Sequence, residues 1–175
     1  MGLDGFVGRD DEVGRLRGLV SEVAAGVGGV VWVVGEPGIG KSALVDVGLG
    51  GAAAGGVRVF RGGGDELTQS FALRLMADCL GVGWGWWMGS GWRLLICWRV
   101  GGGVDPVRAA GERLVGLVQR ECADSPVVLV GDDLQWADEA SLGCGLGWRR
   151  WRGRCRCCWW GVPAGAAAGG GGSGA

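Results

Sequence analysis

The segment Gly35-Glu-Pro-Gly-Ile-Gly-Lys-Ser42 constrains the fold of this chain more than any other part of its sequence. It fits the pattern G-x-x-x-x-G-K-[ST], and it directly follows the apolar run Val30-Val-Trp-Val-Val34. The run predicts a strand that is buried on both faces of a parallel sheet. The pattern predicts a tight glycine turn that leads into a helix. Chance does not readily produce this match, because Lys41 is the one lysine among 17 basic residues.

The glycines of this segment predict an anion-binding loop. They allow the backbone to curl so that successive N–H groups face phosphate oxygens, and the N-terminus of the following helix adds partial positive charge. In such a loop the Lys41 ammonium lies on the β and γ phosphates of a nucleotide, and the Ser42 hydroxyl binds Mg²⁺. Lys41 is therefore also a catalytic candidate. The residues predicted to bind the nucleotide here are Gly35, Glu36, Pro37, Gly38, Ile39, Gly40, Lys41 and Ser42.

A second motif, Val127-Val-Leu-Val-Gly-Asp-Asp133, is an apolar strand that ends in two acids. An acid at the end of a buried strand beside a phosphate-binding loop holds Mg²⁺, and a second acid polarises the attacking water. We assign Asp132 to the metal and Asp133 to the water as a catalytic residue. The pattern by itself is also compatible with a strand followed by an Asp-rich turn.

Strands and helices alternate along the chain, which predicts an α/β fold with a parallel sheet. Apolar residues at spacings of three and four predict helices, and short apolar runs predict strands. The third predicted helix includes Leu67 and Phe71 among its apolar positions. The predicted helices are 10–23, one that begins at Ser42, 65–80 and 107–122, and the predicted strands are 30–34, 57–60 and 126–130.

Composition excludes several classes of function. Histidine is absent, which removes catalytic triads with histidine, histidine general bases and histidine-containing zinc sites. The seven cysteines and the acidic, non-apolar start of the chain predict reduced thiols in the cytoplasm without a signal peptide. Leu80–Val100 is interrupted by Arg93 and Arg99, so no membrane span is expected.

Two windows depart from this pattern. Residues 81–103 form a Gly/Trp-rich insert, and residues 144–175 form an Arg/Trp/Cys-rich and then Gly/Ala-rich tail that we expect to be disordered. Residues 1–143 are then the ordered core. Out-of-frame translation of a G+C-rich gene accounts for both compositions. The arginines and tryptophans of the tail are alternatively compatible with a nucleic-acid or lipid surface, and Cys155 and Cys158 with a weak zinc motif.

Three further segments carry a resemblance to a known family. They are Phe6-Val-Gly-Arg-Asp-Asp-Glu-Val13, Asp65-Glu-Leu67 with Phe71-Ala-Leu73, and Asp132-Asp-Leu-Gln-Trp-Ala-Asp-Glu-Ala-Ser-Leu142. Together with the glycine loop they resemble the ATPase domain of large bacterial LuxR-type transcriptional regulators, which belong to the STAND branch of AAA-like P-loop ATPases. The resemblance covers about residues 5–80 and 104–142 and implies a P-loop NTPase-like three-layer sandwich that is incomplete at the C-terminus.

The resemblance implies ATP and Mg²⁺ as cofactors. It places Val7, Gly8 and Arg9 near the adenine. In the implied fold a further strand lies between the strand of the glycine loop and the strand of the two acids, and no ordinary sequence for it is legible after Leu142. The stretch 155–162 fits that slot by length and apolarity, but Arg156 would then be costly to bury. We therefore expect the two halves of the site to be separated.

These observations predict an ATP-binding, nucleotide-dependent switch domain of a truncated transcriptional regulator, with weak or no hydrolysis of ATP. The intact regulator would contact DNA through a separate C-terminal helix-turn-helix domain, so no direct contact with nucleic acid and none with membrane is predicted for this chain. Two alternatives stay open: a P-loop phosphotransferase that acts on a small molecule, and a non-functional gene fragment whose core does not fold.

Overall fold

A computed structural model of the chain describes residues 8–82, 105–147 and 157–161, with the backbone alone for 145–147 and 157–161. The insert, apart from Gly81 and Val82, and most of the tail therefore lie outside the described residues. The helices are α1 (Asp10–Ala24), α2 (Lys41–Leu49), α3 (Arg74–Cys79), α4 (Pro106–Asp124) and α5 (Glu139–Gly147). The strands are β1 (Gly29–Trp32), β2 (Arg58–Gly63), β3 (Val127–Asp132) and β4 (Cys157–Gly161), and a 3-10 turn spans Leu134–Trp136.

The four strands form one sheet in the order β1-β4-β3-β2, and every neighbouring pair is parallel. Parallel strands need helical crossovers, which cover both faces of the sheet. Accordingly, β3 is buried on both faces, and each of its residues from Val127 to Gly131 is buried. The predicted α/β fold with a parallel sheet is thereby confirmed.

The core has two halves, one on each face of the sheet. Alternate residues of β3 point to opposite faces. Val128 and Val130 pack against α1 and α2, whereas Val127 and Leu129 pack with α3 and α4. Helices on both faces of a central sheet make a three-layer sandwich, as the sequence predicts.

The slot between β1 and β3 is filled, contrary to the expectation from the sequence. Cys157–Gly161 forms β4 there and pairs with β1 on one side and with β3 on the other. The expectation of disorder is therefore wrong for these five residues. The described strand begins at Cys157, and Arg156, whose burial the sequence analysis expects to be costly, lies outside the described residues. The two halves of the predicted site are joined through β4 and not separated.

The predicted third helix is much shorter than its apolar pattern indicates. Residues 65–72 form turns, and Leu67 and Phe71 are 85% and 50% exposed. In these turns the Asp65 carboxylate accepts from the Leu67 N–H at 2.8 Å, and the Asp65 carbonyl accepts from the Thr68 N–H at 3.0 Å, which is the i to i+3 spacing of a turn and not the i to i+4 spacing of an α-helix. Helix α3 begins only at Arg74, after Leu73 has adopted a left-handed conformation with φ 65°.

Strand β1 also differs from its prediction. It spans Gly29–Trp32 and not 30–34, and its residues are half-buried or exposed. The reason is its position, since β1 is the edge strand of the described sheet and only β4 pairs with it. Trp32 is 39% exposed and Val34 is 57% exposed.

Candidate functional site

The loop between β1 and α2 has the geometry that the glycine pattern predicts. Gly38 and Gly40 have φ angles of 76° and 87°, which a residue with a Cβ rarely adopts. Gly40 is the N-cap of α2 and has no side chain to cap it. The first backbone bond of the helix runs from the Leu44 N–H to the Gly40 carbonyl at 2.9 Å. The N–H groups of residues 41–43 precede that bond, so they make an anion-binding helix terminus.

Lys41 is the first residue of α2 and is only 8% exposed. Its ammonium donates to the carbonyl oxygens of Gly35 at 3.1 Å and Glu36 at 2.9 Å. A buried cation is costly unless it is hydrogen-bonded, and these two carbonyls supply that compensation. The loop therefore wraps around the lysine that follows it, and the carbonyls hold the charge at the base of the loop.

The two predicted acids follow β3 on the same edge of the sheet. Asp132 ends the strand and is half-buried, whereas Asp133 is exposed and has a left-handed φ of 48°. The Asp132 carboxylate accepts from the Asp133 N–H at 3.0 Å, and its carbonyl accepts from the Gly64 N–H at 2.9 Å. A left-handed conformation is costly for a residue other than glycine, and it persists only where the surrounding structure holds the backbone in place.

The loop and the acids share one cleft of about 400 Å³. Its lining is Pro37, Gly38, Gly40, Lys41, Ser42, Ala43, Asp132, Asp133 and Gln135. The structure thus brings both predicted metal ligands, Ser42 and Asp132, and both predicted catalytic residues, Lys41 and Asp133, to one place.

Other predicted residues stand outside the lining of the cleft. Gly35 and Glu36 contribute the carbonyls that hold Lys41, and the Ile39 side chain is 45% exposed and contacts the loop at Gly35. Gly8 and Arg9 lie at the start of α1, where Arg9 is the N-cap, and neither lines the cleft. Val7 lies outside the described residues.

The residues of the cleft fit a triphosphate with Mg²⁺. The loop and the start of α2 offer backbone N–H groups, one ammonium and the Ser42 hydroxyl, and the opposite wall offers the carboxylates of Asp132 and Asp133. Mg²⁺ prefers such oxygen ligands and is commonly held by one or two protein groups together with phosphate oxygens. One side of the cleft is therefore complementary to an anionic ligand, and the other side is complementary to the cation that the ligand carries.

Sequence reasoning missed three polar residues of the segment after Asp133. Gln135 lines the cleft, and its amide donates to the Asp133 carboxylate at 3.0 Å. Asp138 and Ser141 are buried and connect α5 to the start of α3. An N-cap signal, Asp followed three residues later by Ser at the start of an apolar run, marks Asp138 in the sequence. No comparable signal marks Gln135.

Two described cysteine thiols, those of Cys79 and Cys144, are not candidates for nucleophiles. Burial and then the Asp78 charge raise the pKa of Cys79 to about 12, and burial and then Asp138 raise the pKa of Cys144. The thiolate is the reactive form, so both thiols stay protonated near neutral pH. Among the described residues no group of three or more His, Cys, Asp or Glu side chains has the arrangement of a metal site. Cys155 of the weak zinc motif lies outside those residues.

No helix in the described parts of the chain is long and apolar enough to cross a membrane. The interrupted apolar stretch that the sequence analysis places at residues 80–100 lies outside the described residues from position 83 onward.

Comparisons with known proteins identify the family of the chain and the likeness of its fold. A family model described as "AAA ATPase domain" matches residues 5–146. Among solved structures, a chain of the Drosophila ORC bound to DNA is similar with a TM-score of 0.54 and 15% sequence identity. The match covers 90% of this chain and 38% of that chain. At this identity the likeness shows the fold alone. A search of curated proteins found no significant match.

Proposed function

The chain belongs to the family of AAA ATPase domains, and on that premise we propose that it binds Mg-ATP in the cleft between the loop after β1 and the acids after β3. The bound nucleotide acts as a conformational switch in a larger bacterial transcriptional regulator of the LuxR type in the STAND branch. Hydrolysis of ATP is slow, and the protein works in the cytoplasm. A separate domain of the regulator contacts DNA, and this chain does not.

The observation that carries the proposal is the meeting of Lys41 and Ser42 with Asp132 and Asp133 in one cleft. Lys41 neutralises negative charge on the β and γ phosphates. Ser42 and Asp132 hold Mg²⁺, and Asp133 orients a water molecule. Bound Mg²⁺ supplies charge neutralisation at the phosphate oxygens. The N–H groups at the start of α2 bind the remaining phosphate oxygens.

The adenine is assigned to the region of Gly8 and Arg9 by resemblance. Gly8 has a φ of 91°, so the chain makes a glycine-dependent turn immediately before α1. Val7 belongs to the same predicted contact. Replacement of Gly8 by a β-branched residue would distort this turn and would weaken binding of ATP more than binding of inorganic triphosphate.

The regulator role rests on the resemblance that the glycine loop carries together with residues 6–13, 65–67, 71–73 and 132–142. The alternative, a small-molecule phosphotransferase, needs a lid rich in arginine over the acceptor. Among the residues that line the described cleft, Lys41 is the single cation. No feature of the described cleft favours this alternative, and turnover of ATP that depends on an added acceptor would revive it.

Titration calorimetry with Mg-ATP tests the proposal through Lys41. The Lys41→Met variant keeps the aliphatic stem of the buried side chain and removes its charge. A hydrogen bond to a charged group contributes about 1.5 to 3 kcal/mol. Its loss should therefore lower the affinity for Mg-ATP by about 10- to 100-fold. Arg17→Met is the matched control, because Arg17 is exposed on α1 and its loss changes net charge equally.

Wild-type protein should bind Mg-ATP at micromolar to millimolar concentrations, and the control should bind equally well. Equal affinities of the wild type and Lys41→Met would contradict the site. Folded wild-type protein that takes up no Mg-ATP would refute the function altogether.

A further inference from the structure

We propose that Gln135 is a positioning residue that orients the carboxylate of Asp133 toward the reacting water. This inference rests on the proposed function, since it concerns turnover of the same bound nucleotide. It assigns a role to a residue that neither the glycine loop nor the acid pair identifies.

The first observation is a direct contact inside the cleft. Gln135 lies in the 3-10 turn Leu134–Trp136, and its Nε2 donates to Asp133 Oδ1 at 3.0 Å. Both side chains are exposed and line the cleft together with Lys41 and Ser42. A side-chain amide is uncharged, and at neutral pH it neither gives up nor accepts a proton. Gln135 therefore acts on the reaction through Asp133.

The second observation is that the backbone beneath this pair is fixed. Asp133 has φ 48° and ψ 47°, and the buried Leu134 follows it. Gly64, at the end of β2, lies against this turn so closely that a Cβ there would approach the Trp136 carbonyl carbon to 2.9 Å and the Ala137 nitrogen to 3.0 Å. The Gly64 N–H also binds the Asp132 carbonyl at 2.9 Å.

With the backbone fixed, the side-chain torsions of Asp133 decide where its oxygens lie. The bond from Gln135 engages Oδ1 and limits rotation, and Oδ2 is then available to accept a hydrogen bond from water. In the reaction the water oxygen bonds to the γ phosphorus while the bond to the β–γ bridging oxygen breaks. The proton of the water goes to Asp133, and ADP leaves with the electron pair of the broken bond. A carboxylate that rotated freely would hold the water in line with the breaking P–O bond for a smaller fraction of the time.

A double-mutant cycle tests the role. The four proteins are the wild type, Gln135→Met, Asp133→Asn and the double variant. Gln135→Met keeps the length of the side chain and removes the donor. Single-turnover hydrolysis with protein in excess measures the chemical step, and calorimetry with Mg-ATP measures the dissociation constant.

We expect Gln135→Met to slow the single turnover by about 10-fold, with the dissociation constant changed by less than about 2-fold. Asp133→Asn should slow the step by about 100-fold, as loss of a general base does. Removal of Gln135 in the Asp133→Asn background should have no further effect, because its partner is already inactive. Gln69→Met is the matched control: Gln69 is exposed and lines a different cavity, so this variant should match the wild type in both measurements.

Equal losses from Gln135→Met in both backgrounds would overturn the inference, and so would a rate loss that is matched by weaker binding. Wild-type protein that binds Mg-ATP and hydrolyses none would also overturn it, while leaving the binding function intact. Failure of the wild type to bind would instead refute the proposed function. Gln135→Ala is a second variant for the same comparison, should the methionine disturb the turn.

Discussion

Asp138 is a single buried carboxylate that holds the start of two helices. It is 5% exposed. Its Oδ1 accepts from the N–H groups of Leu73 at 2.7 Å and Ser141 at 2.8 Å, and its Oδ2 accepts from the Leu75 N–H at 3.3 Å. Ser141 adds a hydroxyl that accepts from the Met76 N–H at 3.1 Å. The first turn of α3 is therefore capped by side chains from α5, because Leu73 has no polar group of its own.

Asp138→Ala should destabilise the protein by about 3 kcal/mol, since three buried N–H groups lose a charged acceptor worth about 1 to 3 kcal/mol each and only partly recover through water. Urea unfolding followed by circular dichroism measures the change. Glu66→Ala is the control, because Glu66 is an exposed acid on the neighbouring turn and its loss changes net charge equally. Equal stability of the two variants would show that the N–H groups find other partners at little cost.

The residue scale also shows what the sequence predicts well. The glycine loop, Lys41, Ser42 and the two acids are identified from spacing alone, because their chemistry requires those residue types at those intervals. Asp138 is missed as a structural residue because its partners, Leu73 and Leu75, lie more than 60 positions earlier in the chain. Hydrogen bonds between distant segments leave no periodic trace in a single sequence.

At the level of elements, α3 lies unusually close to β2. A Cβ at Gly62 would lie 2.7 Å from Cys79 Sγ, 2.8 Å from the Cys79 nitrogen and 2.8 Å from the Leu75 carbonyl oxygen. Two of these three neighbours are backbone atoms, which do not turn aside as a flexible side chain does. The absence of a side chain at Gly62 therefore sets the distance between the helix and the sheet.

Gly62→Ala should lower the free energy of unfolding by about 1 to 3 kcal/mol, because the added methyl group forces α3 away from the sheet. Gly63→Ala is the matched control on the same strand, since nothing lies within 4 Å of a Cβ there. Its effect should stay within about 0.5 kcal/mol. Thermal unfolding of the two variants in parallel checks the difference, and a Gly62→Ala protein as stable as Gly63→Ala would contradict close packing of α3.

The elements show where periodicity misleads. The apolar residues at 65–80 predict one helix, but the first half of that stretch forms turns in which Leu67 and Phe71 are exposed. The Leu75 and Met76 N–H groups at the start of α3 bind Asp138 and Ser141, and the spacing of apolar residues does not report these bonds. Strand positions are predicted more closely, because a buried run such as Val127–Val130 has few alternatives in an alternating α/β chain.

At the scale of the whole molecule, β4 decides whether the sheet is continuous. In the described sheet β1 pairs with β4. Strand β4 lies between β1, which precedes the glycine loop, and β3, which ends at Asp132. Composition argues against a strand in 144–175, and the sheet nevertheless has one there. The sequence shows that 155–162 fits this slot by length and apolarity, but it does not establish the strand, because its pairing partners β1 and β3 lie far away along the chain.

Trp159→Pro should disrupt the molecule and not only β4. Trp159 pairs with Val30 on one side and with Leu129 on the other, and proline removes a backbone donor of the hydrogen-bond ladder at the centre of the sheet. Hydrogen exchange should show loss of protection in β1 as well as in β3. Trp159→Val keeps the backbone donor and introduces a β-branched side chain, which favours strands, so protection in β1 should persist. Unchanged exchange of β1 in the proline variant would mean that β1 is held without β4.

The position of β4 also bears on how the protein is made. The segment that completes the middle of the sheet leaves the ribosome last among the described strands, after both of its neighbours. Until then, the nascent chain carries two unpaired strand edges that are able to associate with other chains. The nascent chain is therefore most exposed to such association in the interval before the five residues of β4 emerge and pair.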